Sequence, residues 1–260
     1  MQPAMAEELH ALKHKVAAIE GARADLGDLH VLPLGIRKID AALAGGLALG
    51  AVHEIEAAGA VHRGAAFGFA LALACMATAA RPADGVLWIE TASAAAETGR
   101  PYALGLEAFG LCPARVLIAR VPRPIDLLWV LEEALRCRGL AAIIAELAQP
   151  PADLNATRRL SLAARAGSGL GLIVHHRAVP QASAAMTRWQ IAAARSRPDA
   201  FGGLGRPAFD LHLVKNRHGP CGRWTILWDQ HDRAFRDPAL SLGVAGKARD
   251  RSDRALRRAG

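Results

Sequence analysis

Residues 52–80 read VHEIEAAGAVHRGAAFGFALALACMATAA. A short apolar run, Val52 to Glu56, passes through a glycine-containing break into a charge-free stretch from Gly64 to Ala80. Those are the marks of a buried strand, a turn and a core helix. The alternation continues downstream. GVLWIE (85–90), RVLIAR (115–120), LAAIIAEL (140–147) and LGLIVHH (170–176) read as strands, and Pro101–Gly110, Pro124–Arg138 and Ala152–Ala166 as the helices between them. Pro124 falls in a first helical turn, where a missing N–H costs little. Strands that are almost wholly apolar, spaced by helices, predict an α/β fold: a mainly parallel sheet with helices on both faces.

The flanks follow different rules. Leu9, Leu12, Val16 and Ile19 recur at helical spacing with charges between them, so residues 4–22 read as an amphipathic helix. Asp25 to Leu34 reads as a linker, and Ile36 to Leu43 as a short helix stopped by Gly45-Gly46. After residue 176 long helices cease. Trp189–Arg195, Phe209–Asn216 and Arg223–Asp229 read as strands, the last two joined by the turn His218-Gly219-Pro220-Cys221-Gly222 into an antiparallel hairpin at one edge of the sheet. Residues 238–260, with Pro, Gly, Ser and a run of Arg, read as a flexible basic tail. The expected division is 1–31, 32–237 and 238–260.

Composition narrows the class. Of the 260 residues 52% are hydrophobic, and although alanine supplies 57 of them, the remainder supports a sizeable core and excludes a mostly disordered chain. The net charge is +8, of which residues 177–223 carry +6 and residues 247–260 carry +4, so the rest is slightly acidic. This asymmetry fits an acidic partner such as nucleic acid. A GC-rich genome, which favours Arg over Lys (27 to 5 here), is the competing explanation. The four cysteines, at 75, 112, 137 and 221, form no Cys-x-x-Cys pair and indicate neither a zinc site nor a redox motif. The charge-free stretch 64–80 is short for a bilayer and rich in alanine, so a core helix is expected. With Glu7 and Glu8 where a signal peptide would be basic and then apolar, the expected location is the cytoplasm, with no membrane partner.

Two blocks carry a resemblance. LPLGIRKIDAALAGGLALGAVHEI (32–55) resembles the segment that leads into the phosphate-binding loop of RecA-type recombinases, and FDLHLVKNRHGPCGRWTILW (209–228) resembles their late hairpin. The likeness spans about 32–236. Closer still, the N-terminal helix, the degenerate core, the hairpin and the basic C-terminus together resemble the inducible mutagenesis protein A (ImuA) family of divergent, SulA-like and RecA-like bacterial proteins. That resemblance implies a RecA-like, P-loop NTPase-type core. It also implies a part in the SOS response to DNA damage, in error-prone translesion synthesis with RecA, an ImuB-like Y-family polymerase homologue and an error-prone replicative-type DNA polymerase.

The phosphate loop itself is degenerate. A working one needs G-x-x-x-x-G-K-[ST]: glycines let backbone N–H groups approach phosphates, Lys neutralises them and the hydroxyl holds Mg²⁺. Gly59 and Gly64 keep the spacing, but Ala65 and Ala66 stand where Lys and Ser/Thr belong, and His62 and Arg63 precede the second glycine. By the resemblance, Ala92 occupies the position of the water-activating Glu beyond Glu90, and Glu146 lies near the Walker B acid. No catalytic residue, cofactor or metal is therefore expected. His175 and His176 point to opposite faces of their strand and cannot share a metal. His176, near the nucleotide-sensing Gln of recombinases, reads as structural.

What remains are surfaces. Lys215 and Arg217 match hairpin cations that in RecA filaments reach a neighbouring subunit's nucleotide, so they are candidates for docking on RecA, as are Leu9, Leu12, Val16 and Ile19. Arg177, Arg188, Arg223, Arg251, Arg254, Arg257 and Arg258 are candidates for weak contact with DNA or an acidic partner. Trp224 and Trp228 share a strand face and read as core. The leading reading is a non-catalytic adaptor that binds or caps RecA filaments. A SulA-like inhibitor of cell division, a general DNA-binding protein and an ATPase of unusual loop chemistry are the alternatives.

Overall fold

The computed structural model describes residues 30–147, 152–196, 203 and 205–238. The amphipathic segment 4–22 and the tail, with Arg251, Arg254, Arg257 and Arg258, lie outside the described residues. Two-residue strands β1 (Val31–Leu32) and β2 (Leu47–Ala48) pair around helix α1 (Arg37–Ala42). The Gly45-Gly46 break is what lets them meet. Gly46 has φ +154°, and a Cβ there would stand 2.4 Å from the Leu32 carbonyl oxygen.

The main sheet has nine strands in the order β11-β10-β9-β8-β3-β7-β6-β4-β5. They are β3 (Ala51–Ala57), β4 (Gly85–Thr91), β5 (Val116–Val121), β6 (Leu140–Leu147), β7 (Leu170–His175), β8 (Thr187–Ala193), β9 (Ala208–Asn216), β10 (Gly222–Asp229) and β11 (Ala234–Arg236). From β8 to β5 every pairing is parallel; β9, β10 and β11 add an antiparallel wing. This is a RecA-like α/β core. Helix α2 (Arg63–Ala80) lies on one face, with Ala66, Phe69, Ala70, Leu73 and Ala77 buried at helical spacing. It has the length and hydropathy of a membrane-crossing helix, but here it packs along β3, β6, β7 and β8. Helices α5 (Pro124–Arg136) and α6 (Leu154–Ala166) cover the other face through Leu127, Leu131, Leu135 and Leu160. Helices α3 (Ala92–Thr98) and α4 (Ala103–Phe109) follow β4. Phe69 joins the wing to the core, its ring 5.6–6.1 Å from those of Trp189, Phe209 and Phe235.

Strand β8 runs parallel to β3, so the antiparallel wing begins one strand later, at β9. The crossover from β7 to β8 simply lacks the helix that usually marks a parallel connection. β5 is the edge, with Leu117 66% and Ile118 40% exposed on opposite faces.

A buried polar relay fastens β3 to β8. Ala48 O can only accept, so His53 donates to it from Nε2 (2.9 Å); His53 Nδ1 then accepts from the Thr187 hydroxyl (2.7 Å), whose oxygen accepts from Trp189 Nε1–H (2.8 Å). The ring is neutral, because burial drives its pKa from 6.5 down to about 4. Between those values the unfolded chain binds a proton that the folded chain refuses. Stability is therefore expected to fall as the pH drops from about 6.5 towards 4, by up to about 3 kcal/mol from this group. Thermal melts across that window check this, and His53→Gln should flatten the decline.

Candidate functional site

In a parallel α/β sheet, ligands sit beyond the carboxyl ends of the strands. There the turn after β3 has wound up. Gly59 is extended (φ −179°), Ala60–His62 form a 3₁₀ turn, and α2 starts at Arg63, one residue before the second glycine. The glycines are not crowded: a Cβ at Gly64 meets nothing within 4 Å, and one at Gly59 meets only His62 Cδ2 at 3.9 Å. Ala65 is half-buried and Ala66 fully buried. The nearby cations are committed elsewhere. His62 Nδ1 accepts from the Ala193 amide (3.2 Å), while Arg63 pairs with Glu97 on α3 (3.1 Å). Phe67, one turn into α2, stacks on Trp88 (5.7 Å) and meets His176 edge-on (5.8 Å).

The strand-end acids are likewise engaged. Glu90, completely buried, accepts from Arg120 Nε (2.9 Å). Glu146 accepts from the Thr98 hydroxyl (2.9 Å) and pairs with His176 Nε2 (2.8 Å). Ala92, the first residue of α3, offers no carboxylate. Among the described residues no three His, Cys, Asp or Glu side chains gather where they could share a metal ion. A Mg²⁺-nucleotide, the group this fold family implies, does not fit this set. No ammonium or hydroxyl stands at the loop, and the two buried carboxylates are already bonded within the protein.

The opposite face of the sheet holds a second cluster, which the sequence reading missed. Glu54 and Glu56, two apart on β3, share one side of a strand that is buried throughout. That i, i+2 spacing of acids in an interior strand was the available signal, because buried carboxylates require a partner. The partner is Arg188 on β8. Its Nε lies 2.7 Å from Glu54 and 3.2 Å from Glu56, and its NH1 donates to the Val179 carbonyl (2.8 Å). Burial pushes the Glu54 carboxyl up, but His175 (3.9 Å) and Arg188 outweigh it and hold the pKa at about 2. For Glu56 burial prevails over Arg188 and the pKa rises.

Arg188 is therefore corrected as a DNA-contact candidate. Only 9% exposed, it is turned inward, hydrogen-bonded to Glu54 and the Val179 carbonyl and ion-paired with Glu56. The other candidates scatter. Lys215 is half-buried and donates to the Ser183 carbonyl; Arg217 is exposed and reaches Ala184 O (3.3 Å); Arg177 and Arg223 are exposed. His175 and His176 face opposite sides, towards Glu54 and Glu146 respectively. Trp228 is buried, its indole N–H donating to Phe109 O (3.0 Å), and Trp224 leans on Trp189. Leu9, Leu12, Val16 and Ile19 fall outside the described residues.

No family model matches the chain. Among curated proteins it is 33% identical over 209 residues to protein ImuA of Caulobacter vibrioides, in strains NA1000 and CB 15, covering 75% of this chain and 82% of the relative.

Two outcomes are expected from the geometry. Gly64→Ala, ruinous in a phosphate loop, should leave the melting temperature unchanged or raise it slightly, since the position is helical and open. Arg188→Met should cost about 3–5 kcal/mol in chemical denaturation by stranding buried acids, and adding Glu54→Gln should recover part of that loss.

Proposed function

Because the chain belongs to the ImuA family, we propose that it acts as a non-catalytic accessory of SOS mutagenesis. In this reading it works in the cytoplasm on behalf of error-prone translesion synthesis. Its companions are RecA, an ImuB-like Y-family polymerase homologue and an error-prone replicative-type DNA polymerase. The observation that supports it most is the end of the sheet where recombinases hold ATP. There the scaffold persists, while Phe67, Arg120 and His176 take up the space and the carboxylates. Phosphoryl transfer is almost wholly positioning and charge stabilisation, so a site without either leaves no turnover.

Contact with RecA is assigned to the end of β9. Arg217 is exposed there and donates to the Ala184 carbonyl, while Lys215 beside it is half-buried against the Ser183 carbonyl, so Arg217 is the better placed of the two to reach a neighbour's phosphates. A molecule docked this way occupies a filament end without extending it. Two measurements test the reading. Titration with a labelled ATP analogue should show no saturable binding, and RecA should be co-purified by the full chain but several-fold less by Arg217→Ala. Nucleotide turnover abolished by Glu90→Gln or Glu146→Gln would falsify the non-catalytic reading, and RecA capture indifferent to Arg217 would remove the docking surface.

A further inference from the structure

Several surface arginines on the α5 and β5 side are neutralised, Arg120 by Glu90, Arg123 by Asp126, and Arg136 by Glu132 and Glu133, while Arg138 just beyond α5 is exposed with no acidic partner among the described residues. Helix α6 carries both kinds. Arg159, facing α5, pairs with Glu132, whereas Arg158 and Arg165, on its outer side, are exposed and have no carboxylate partner among the described residues. Seven residues apart, they stand about 10.5 Å from each other along the helix, with the exposed Leu162 between them.

The far side of this strip meets the antiparallel wing. Ala184 is held by α6, its N–H donating to Thr157 Oγ1 (3.0 Å) and its carbonyl accepting from Ser161 (3.0 Å). The same carbonyl accepts from Arg217. The end of β9 therefore abuts the flank of α6. Arg223, on β10, lies on this face too, because Trp224, Ile226 and Trp228 turn to the α2 side. It is exposed and unpaired with any acid among the described residues. Crowding of like charge is felt locally: the Lys215 ammonium is pushed down by burial and then by Arg217 and Arg188, against the pull of Glu54. The exposed carboxylate on this side of the wing, Asp210, lies further along β9 and is occupied by Thr225 (2.6 Å).

We propose that Arg158 and Arg165 of α6, with Arg223 of β10, form a surface that binds the phosphate backbone of nucleic acid. It lies on the face of the sheet opposite α2 and the degenerate loop. It presents exposed guanidinium groups with no acidic partner among the described residues, the donors best suited to phosphate. The inference is independent of RecA docking, since its defining residues Arg158, Arg165 and Arg223 lie outside the surface assigned to that contact.

The test is fluorescence anisotropy of the full chain with labelled single-stranded and duplex oligonucleotides, at salt from about 50 to 200 mM. The native chain should bind both, with affinity falling steeply as salt rises. The variant R158E/R165E/R223E should lose at least about tenfold in affinity and flatten the log–log salt slope by about 2–3. Arg123→Glu, a reversal of a neutralised arginine, should change neither, and RecA capture should survive in the triple variant. Absence of salt-dependent binding by the native chain, or an unchanged slope in the triple variant, overturns the proposal. Competition by poly-glutamate as effective as by oligonucleotide also overturns it, and reassigns the surface to an acidic protein. Should the charge reversal lower the melting temperature, R158Q/R165Q/R223Q carries the same comparison, with a slope loss again expected.

Discussion

The guanidinium of Arg188 lies between Glu54 and Glu56 where water scarcely reaches. An interior strand cannot hold two acids without such a partner. Here the partner comes from β8, which runs beside β3 in a parallel register that sets Arg188 opposite Glu54. The third bond of Arg188, to Val179, pins the helix-free crossover that makes this direction possible. Thr187 and Trp189 on either side then complete the relay to His53. The ion cluster, the relay and the origin of the wing are three aspects of one requirement set by the acids of β3.

At the carboxyl end of the sheet the logic is reversed. Where a nucleotide site keeps its carboxylates waiting for a ligand, here both strand-end acids have a local companion. Glu146 has Thr98 and His176, Glu90 has Arg120, and Arg63 has Glu97. Such pairs stabilise the fold and remove the preorganised, unsatisfied charge that catalysis requires. The chassis depends on hydrophobic packing by α2, α5 and α6, and Ala65 and Ala66 suit the first turn of α2.

The apolar runs of β3, β4, β6 and β7 were legible because a strand covered on both faces has a plain signature, and the hairpin because its turn residues allow little else. The direction of β8 was not: an eleven-residue crossover without a helix looks the same in sequence whichever way the next strand runs. Nor was the position of β5, whose VLIARV matches an interior strand while its partners lie on one side only. At the site, it could be read directly that Ala65 and Ala66 offer neither an ammonium nor a hydroxyl. The fate of Arg188 could not, because an arginine's exposure depends on which acids the register brings opposite it, and that register joins residues 134 apart. Arg158 and Arg165 went unnoticed for a similar reason. In sequence they are ordinary helix arginines, and only the arrangement of neighbouring acids distinguishes them from Arg159.

The exposed border at β5 has a practical corollary for handling the molecule. A sheet whose last strand among the described residues exposes leucine and isoleucine, with neither proline nor lysine within that strand, invites lateral zippering between copies. Shelf life in concentrated solution will be governed by that seam rather than by how firmly the interior is packed. Precipitation will set in while the circular dichroism spectrum still reports a native fold, and a single lysine at position 117 will do more for solubility than any repair of the core.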